Sequence, residues 1–233
     1  MNGQAGKEAR NPIAKAWFGL FFFLAVVGFA LFVPAGTVRY WQAWLYVALY
    51  SVSVGAITLY LMRNDRALLE RRIAAGPGAE KRTKQKIIQF IAQFAFLAVL
   101  VVPALDHRFA WSDVPSYAVI TGDGLVLLGL YVVFRVFREN TFASATIEIG
   151  KEQKVVSTGP YALVRHPMYG GAFVMLIGTP IALGSWWGLL AIFPITAAVI
   201  WRLFDEEEFL AKSLQGYAEY RAKVRWRLIP GVF

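Results

Sequence analysis

Five long stretches without a Lys, Arg or Glu constrain this chain more than any other feature. Residues 16–33, 40–62 and 87–105 are uncharged for 18, 23 and 19 residues. Residues 114–134 carry one acid, Asp123, in 21 residues, and 167–201 are uncharged for 35. A helix needs about 20 mostly apolar residues to cross a bilayer, so each of the first four stretches fits one crossing. The last would make a helix about 52 Å long, too long for one crossing. Gly184-Ser185-Trp186-Trp187-Gly188 in its middle has turn chemistry. A helical hairpin there brings the expectation to an all-α, polytopic membrane helix bundle of about six transmembrane helices.

Composition agrees. The 233 residues are 58% hydrophobic and 17% charged, with a mean hydropathy of +0.50. A water-soluble domain would be about half apolar and a quarter charged, and disorder is excluded. A net charge of +9 could suggest nucleic acid, but the distribution of the charges points to a membrane. With a cytoplasmic N-terminus, 22 of the 24 Lys and Arg fall inside, leaving Arg39 and Arg108 outside. Lys7, Arg10, Lys15, Lys151 and the eight basic residues of 63–86 all count on the inner side. That bias sets orientation and places both termini in the cytoplasm. The expected setting is the cytoplasmic (inner) membrane of a bacterium, with the first helix retained and not cleaved as a signal peptide. Trp41, Trp44, Trp111, Trp186 and Trp187 fall at outer span ends, and Trp17, Trp201 and Trp226 at inner ones, as an interfacial belt. The chain divides by content into 1–134, transmembrane helices with a basic cytoplasmic loop at 63–86, and 135–233. The basic loop reads as a solvated segment with short helical pieces, attracted to anionic lipid.

Cys is absent, and the two His, His107 and His166, stand far apart in sequence. Disulfides, thiolate chemistry and a histidine metal cluster are not expected. Walker A, G-x-G-x-x-G, H-E-x-x-H and G-x-S-x-G motifs are missing. Three segments on the inner side remain for chemistry. In 158–169, Gly159-Pro160 breaks the backbone and Pro167 suits the first turn of a helix. His166 then stands at a helix N-terminus, whose free N–H groups favour an anion, with Arg165, Tyr161 and Tyr169 as further donors. Two readings stand here: a seat for a polar ligand bearing a carboxylate, or a juxtamembrane loop with an arginine anchor and interfacial tyrosines. In 201–209, Arg202 precedes Asp205, Glu206, Glu207 and Glu208. Arg202 and Glu206 share a helix face, either as a functional group or as an exposed ion pair worth little. The tail from Tyr217 is aromatic and basic. It reads as an amphipathic surface segment, and its end, 228–233, can fold back as an apolar plug or anchor.

In this order, the three segments resemble the isoprenylcysteine carboxyl methyltransferase family, integral-membrane enzymes related to phospholipid N-methyltransferases. The residues that carry the resemblance are Thr158-Gly-Pro-Tyr161, Arg165-His-Pro-Met-Tyr169, Arg202 with Glu206-Glu207, and Tyr217-x-x-Tyr220, with Asn140-Thr-Phe142 upstream. The resemblance covers about 135–233. It implies S-adenosylmethionine as methyl donor, leaving S-adenosylhomocysteine, on the cytoplasmic side. It implies a cofactor pocket lined by Tyr161, His166, Pro167, Met168 and Tyr169, with backbone and edge contacts from Gln153, Lys154, Val155 and Val156. Glu206 would hold a polar end of the cofactor. Arg202 would orient the acceptor carboxylate, since its planar fork can bind a carboxylate at two points where Lys cannot. Glu207 or Glu208 would stand as the candidate base if the acceptor were an amine.

The implied activity is methyl transfer to a small lipophilic acceptor, most like isoprenylcysteine carboxyl O-methylation. A phospholipid amine and a small thiol are the alternatives. Two rivals belong to other classes: a non-catalytic lipid-binding protein and a transporter, though an ion path would need more intramembrane charges than Asp123. The expected partners are the lipid-soluble acceptor and membrane lipids, with no nucleic acid and no obligate protein partner.

Overall fold

A computed structural model describes residues 2–150 and 153–233, with side chains from Pro12 onward. Lys7, Arg10 and Lys151 of the basic count lie outside the described residues and side chains. The elements are α1 (Asn2–Ala35), α2 (Trp41–Asn64), α3 (Arg66–Ile73), α4 (Thr83–Phe109), α5 (Ser116–Glu139), α6 (Pro167–Ala182), α7 (Ile192–Ser213) and α8 (Tyr217–Lys223). Single 3-10 turns lie at Gly159–Ala162 and Trp187–Ala191. Among the described residues there is no strand, and the all-helical membrane architecture is the one expected.

The six expected segments differ in length. Five helical segments are long and apolar enough to span: Pro12–Ala35, Trp41–Asn64, Thr83–Phe109, Ser116–Glu139 and Trp187–Ser213. The sixth, α6, has only 16 residues and is about 24 Å long, short of a hydrocarbon core of about 30 Å. Its end is set locally. Gly184 adopts a positive φ of 71°, and Ser185 N–H returns to Pro180 O at 2.9 Å. The chain then re-enters through the 3-10 turn into α7. The hairpin is present, with one short arm.

Glycines fix where α6 lies. A Cβ on Gly129 would stand 2.5 Å from Gly171 O, and one on Gly122 would stand 2.3 Å from Ala182 N. Gly171 and Gly178 return the contact from α6, meeting Gly129 O and Gly122 O. Each helix therefore offers two glycines seven residues apart. The antiparallel pair closes to backbone contact, as small residues allow between helices in lipid. This places the first turn of α6 beside the last turn of α5.

One end of the bundle gathers the connections at residues 36–40, 110–115 and 183–187. Tyr40 Oη donates to Leu183 O at 2.6 Å. Asp106 accepts from Ser112 N at 2.7 Å and Ser185 Oγ at 2.5 Å. Trp41, Trp44, Trp111, Trp186 and Trp187 are all exposed around this end. The opposite end joins α3, the first turn of α4 and the ends of α5, α6 and α7. There the basic loop departs from the solvated segment expected. Asp65 caps α3 by accepting from Leu68 N at 2.9 Å, Leu68 and Leu69 are core residues, and Glu80 and Gln85 are buried. The division at residue 134 also falls inside α5.

Candidate functional site

Three stretches of sequence meet at that second end. The first is the approach to α6. Gly159 takes φ 56°, and any side chain there would meet Glu139 within 2.7 Å, so this turn calls for glycine. The 3-10 turn that follows presents Tyr161, and Pro167 opens α6. Backbone pairing fastens this approach to the tail: Arg165 N–H donates to Trp226 O and His166 N–H to Arg227 O, both at 2.9 Å. Tyr220 Oη donates to Tyr161 O at 2.8 Å. The tail does fold back, and Arg227 lies between the rings of Phe204 and Phe233.

Glu207 is the lock among these pieces. It accepts from Arg165 Nε at 2.6 Å, His166 Nε2 at 3.3 Å and Arg227 Nε at 2.9 Å. Arg165 also donates to the carbonyls of Val224 and Arg225 at 3.0 and 3.1 Å. Buried charges persist when they are paired and hydrogen-bonded, and the Glu207 carboxylate has both, with an arginine on each oxygen.

Beside the lock is a cleft of about 800 Å³ that opens to solvent. Gln153, Lys154, Val155, Val156, Tyr161, His166, Pro167, Met168, Tyr169 and Glu206 all line it. Residues 142–148 form its further wall, and Leu210, Leu214, Tyr217 and Tyr220 complete it. Glu206 accepts from Tyr169 Oη at 2.7 Å, and Tyr169 Oη accepts from Arg202 Nε at 3.1 Å. The carboxylate is thus held through a relay, not by the direct Arg202–Glu206 pair that their spacing allowed. Burial pushes the Tyr161 hydroxyl up to about 12, although it accepts from Asn140 Nδ2 at 2.9 Å. Burial, followed by Glu207 and Glu206 nearby, raises Tyr217 too. The Tyr217 hydroxyl is buried with no hydrogen-bond partner, an uncommon and costly state.

Two expected roles meet a different geometry. Arg202 does not line the cleft. It donates to Glu80 Oε1 and Gln85 Oε1, each at 2.7 Å, to Ala145 O at 2.9 Å, and to Tyr169. Four of its five N–H donors are taken, so it braces the wall instead of facing an open acceptor site. Glu207, a candidate base, also lies outside the cleft lining, with its oxygens committed to two arginines and His166.

Sequence reasoning missed the contribution of the basic loop. Glu80 and Gln85 grip Arg202, while Arg82 and Lys84 pair with Asp205 at 2.8 and 2.7 Å, and Gln85 donates to Asp205 as well. The available signal was Glu80, an acid in a basic stretch. The wall at 142–148 carried no periodicity that could have marked it.

A model of the phospholipid methyltransferase family matches residues 117–216, which take in α5, α6, α7 and most of the cleft wall. The chain is similar to protein-S-isoprenylcysteine O-methyltransferase B of Arabidopsis thaliana, with 28% identity over 146 residues covering 59% of this chain and 66% of the relative. It is similar to protein-S-isoprenylcysteine O-methyltransferase of Saccharomyces cerevisiae, with 32% identity over 145 residues, 56% of this chain and 58% of the relative. The Schizosaccharomyces pombe protein of the same name is 35% identical over 80 residues, 32% of each chain. The matches thus span about a third to two thirds of these relatives' length.

Proposed function

We propose that this chain, which resembles the phospholipid methyltransferase family over residues 117–216 and protein-S-isoprenylcysteine O-methyltransferases over 59% and 56% of its length, transfers a methyl group from S-adenosylmethionine to the carboxylate of a lipophilic acceptor. The observation that carries the proposal is the convergence of residues 140–148, 153–156, 161–169 and 206–220 on one cleft, with a fixed carboxylate and an unpartnered buried hydroxyl inside it. Those groups fit the donor. Glu206 offers an acceptor for an ammonium or ribose hydroxyl, and Tyr217 a donor without a protein partner. Val155, Val156, Met168, Leu210 and Leu214 supply apolar walls.

The bound donor would supply a methyl group on a positively charged sulfur. Its transfer to a carboxylate oxygen would break the sulfur–methyl bond, leave a neutral thioether and require no proton transfer. The chain's task is therefore alignment and exclusion of water. Tyr169 and Arg202 hold Glu206 in place. The Arg165–Glu207–Arg227 lock keeps the α6 approach, α7 and the tail closed around the cleft. An amine acceptor would need a base; Glu207 is already committed to Arg165 and Arg227, and Glu208 is exposed outside the cleft lining, paired with Lys212, which favours a carboxylate over an amine.

The basic residues of the inner count surround this end of the bundle, which we assign to the cytoplasmic face of the membrane. Transfer of a labelled methyl group from S-adenosylmethionine to a prenylcysteine, in detergent-purified protein, tests the proposal. Label in the prenylcysteine and none in its methyl ester is the expected result. Label only in phospholipid amines or simple thiols would replace the acceptor, and no transfer to any of them would refute the activity.

A further inference from the structure

Two adjacent arginines on α3 reach toward the cleft wall. Arg71 Nη1 donates to Thr141 O at 2.6 Å and its guanidinium rests 5.3 Å from the Phe142 ring. Arg72 is placed differently. Its Nη1 donates to Ser144 O at 3.1 Å and lies 3.8 Å from Met168 Sδ, and both of those residues line the cleft. Its guanidinium lies 5.1 Å over the ring of Phe137, which belongs to an apolar cluster with Leu61, Met62, Leu68 and Val136. Arg72 thus stands between the cleft and the apolar flank built by α2, α3 and α5.

Its charge is unmatched. Arg82, Arg165, Arg202 and Arg227 each face a carboxylate within 3 Å. Among the described residues no Asp or Glu pairs with Arg72, and its Nε and Nη2 donate no hydrogen bond. Neither nitrogen is among the sealed, partnerless buried atoms, so each keeps some exposed surface. Burial pushes this guanidinium below its ordinary value, and Arg202 adds to the effect against Tyr169. A half-buried cation without a counter-charge is costly. A planar fork with free donors matches a carboxylate or phosphate.

We propose that Arg72 binds the anionic group of the methyl acceptor and holds it beside Met168, against the donor pocket. The proposal rests on the methyltransferase reading above and gives Arg72 the acceptor contact that the resemblance implies for Arg202. An acceptor with an anionic head and a prenyl body would find the guanidinium and the apolar flank together.

Direct competition binding of S-farnesylcysteine, its methyl ester and farnesyl phosphate to the detergent-purified full chain tests this without turnover. The wild type should bind the carboxylate at least 10-fold more tightly than the ester. Arg72→Met should abolish that preference while leaving S-adenosylhomocysteine affinity within 3-fold. Arg72→Lys, which keeps the charge and loses the fork, should fall between them and serves if the Met variant does not fold. Farnesyl phosphate bound more tightly than the carboxylate, and lost in the same variants, would support the anion site with a phosphate head. A preference that survives in Arg72→Met, or one absent from the wild type, would overturn the proposal. So would parallel losses of acceptor and S-adenosylhomocysteine affinity, which would reduce Arg72 to a support for residues 141–146. Failure of the wild type to bind S-adenosylhomocysteine would instead refute the methyltransferase reading.

Discussion

Replacing Glu207 by Ala separates a structural lock from a catalytic base. The carboxylate is buried, and its partners Arg165 and His166 are buried with it, all under 10% exposed. Removing it leaves Arg165 with two carbonyls and no counter-charge. Breaking a buried pair from one side costs about 3–5 kcal/mol, because the other charge stays behind. At about 2–4 °C per kcal/mol for a chain of this size, the unfolding midpoint in detergent should fall by about 10 °C. A double-mutant cycle with Arg165→Met should show a coupling of about 1–3 kcal/mol. Thermal unfolding followed by circular dichroism, in parallel with labelled methyl transfer, provides both readings. Turnover should fall together with stability and recover in part when the protein is cooled. A Glu207→Ala protein with unchanged midpoint, no coupling to Arg165 and abolished turnover would refute the lock and restore Glu207 as a base.

Gly129→Ala should destabilise by about 1–3 kcal/mol, because its Cβ would meet backbone atoms of α6 at 2.5 and 2.7 Å. Gly124→Ala on the same helix, with nothing within 4 Å, should stabilise by about 0.5–1 kcal/mol; equal effects in unfolding scans would contradict the close α5–α6 contact. Tyr217→Phe should leave the unfolding midpoint unchanged or raised, since the lost hydroxyl has no protein partner, yet weaken S-adenosylhomocysteine about 10-fold by calorimetry, the cost of one hydrogen bond to a ligand. Arg202→Lys keeps the charge but cannot span Glu80, Gln85, Ala145 and Tyr169 together. Its turnover and midpoint should both drop, and a normal midpoint with lost turnover would return Arg202 to the acceptor.

The spans were legible because the bilayer imposes a length and an apolar composition that local sequence must meet alone. The shortness of α6 was not, because an uncharged run of 35 residues does not say where Gly184 divides it, or that α6 needs only enough length to lie on α5. The paired glycines at 122/129 and 171/178 were visible, but single glycines carry no partner information until two helices are side by side. That residues near Pro167 and Glu206 meet at one cleft was legible because rare polar types gathered at a span end stand out in an apolar chain. Which of four successive acids faces the cleft was not, since it depends on the rotation of α7 and on where Arg165, Arg227 and Lys84 arrive. The contacts of Glu80, Gln85 and Arg72 were hidden for the same reason: a basic loop reads as solvated until its acids and amides are seen to close on a buried arginine.

The central claim is that one cleft, with Glu206 at its polar end, takes the methyl donor. Calorimetric titration of the detergent-purified wild type and Glu206→Ala with S-adenosylhomocysteine tests it most directly. Saturable one-to-one binding in the wild type, weakened at least about 10-fold in the variant, the loss of a charge-assisted hydrogen bond, is the result predicted. No heat up to millimolar ligand, or identical affinity in the two proteins, would contradict it.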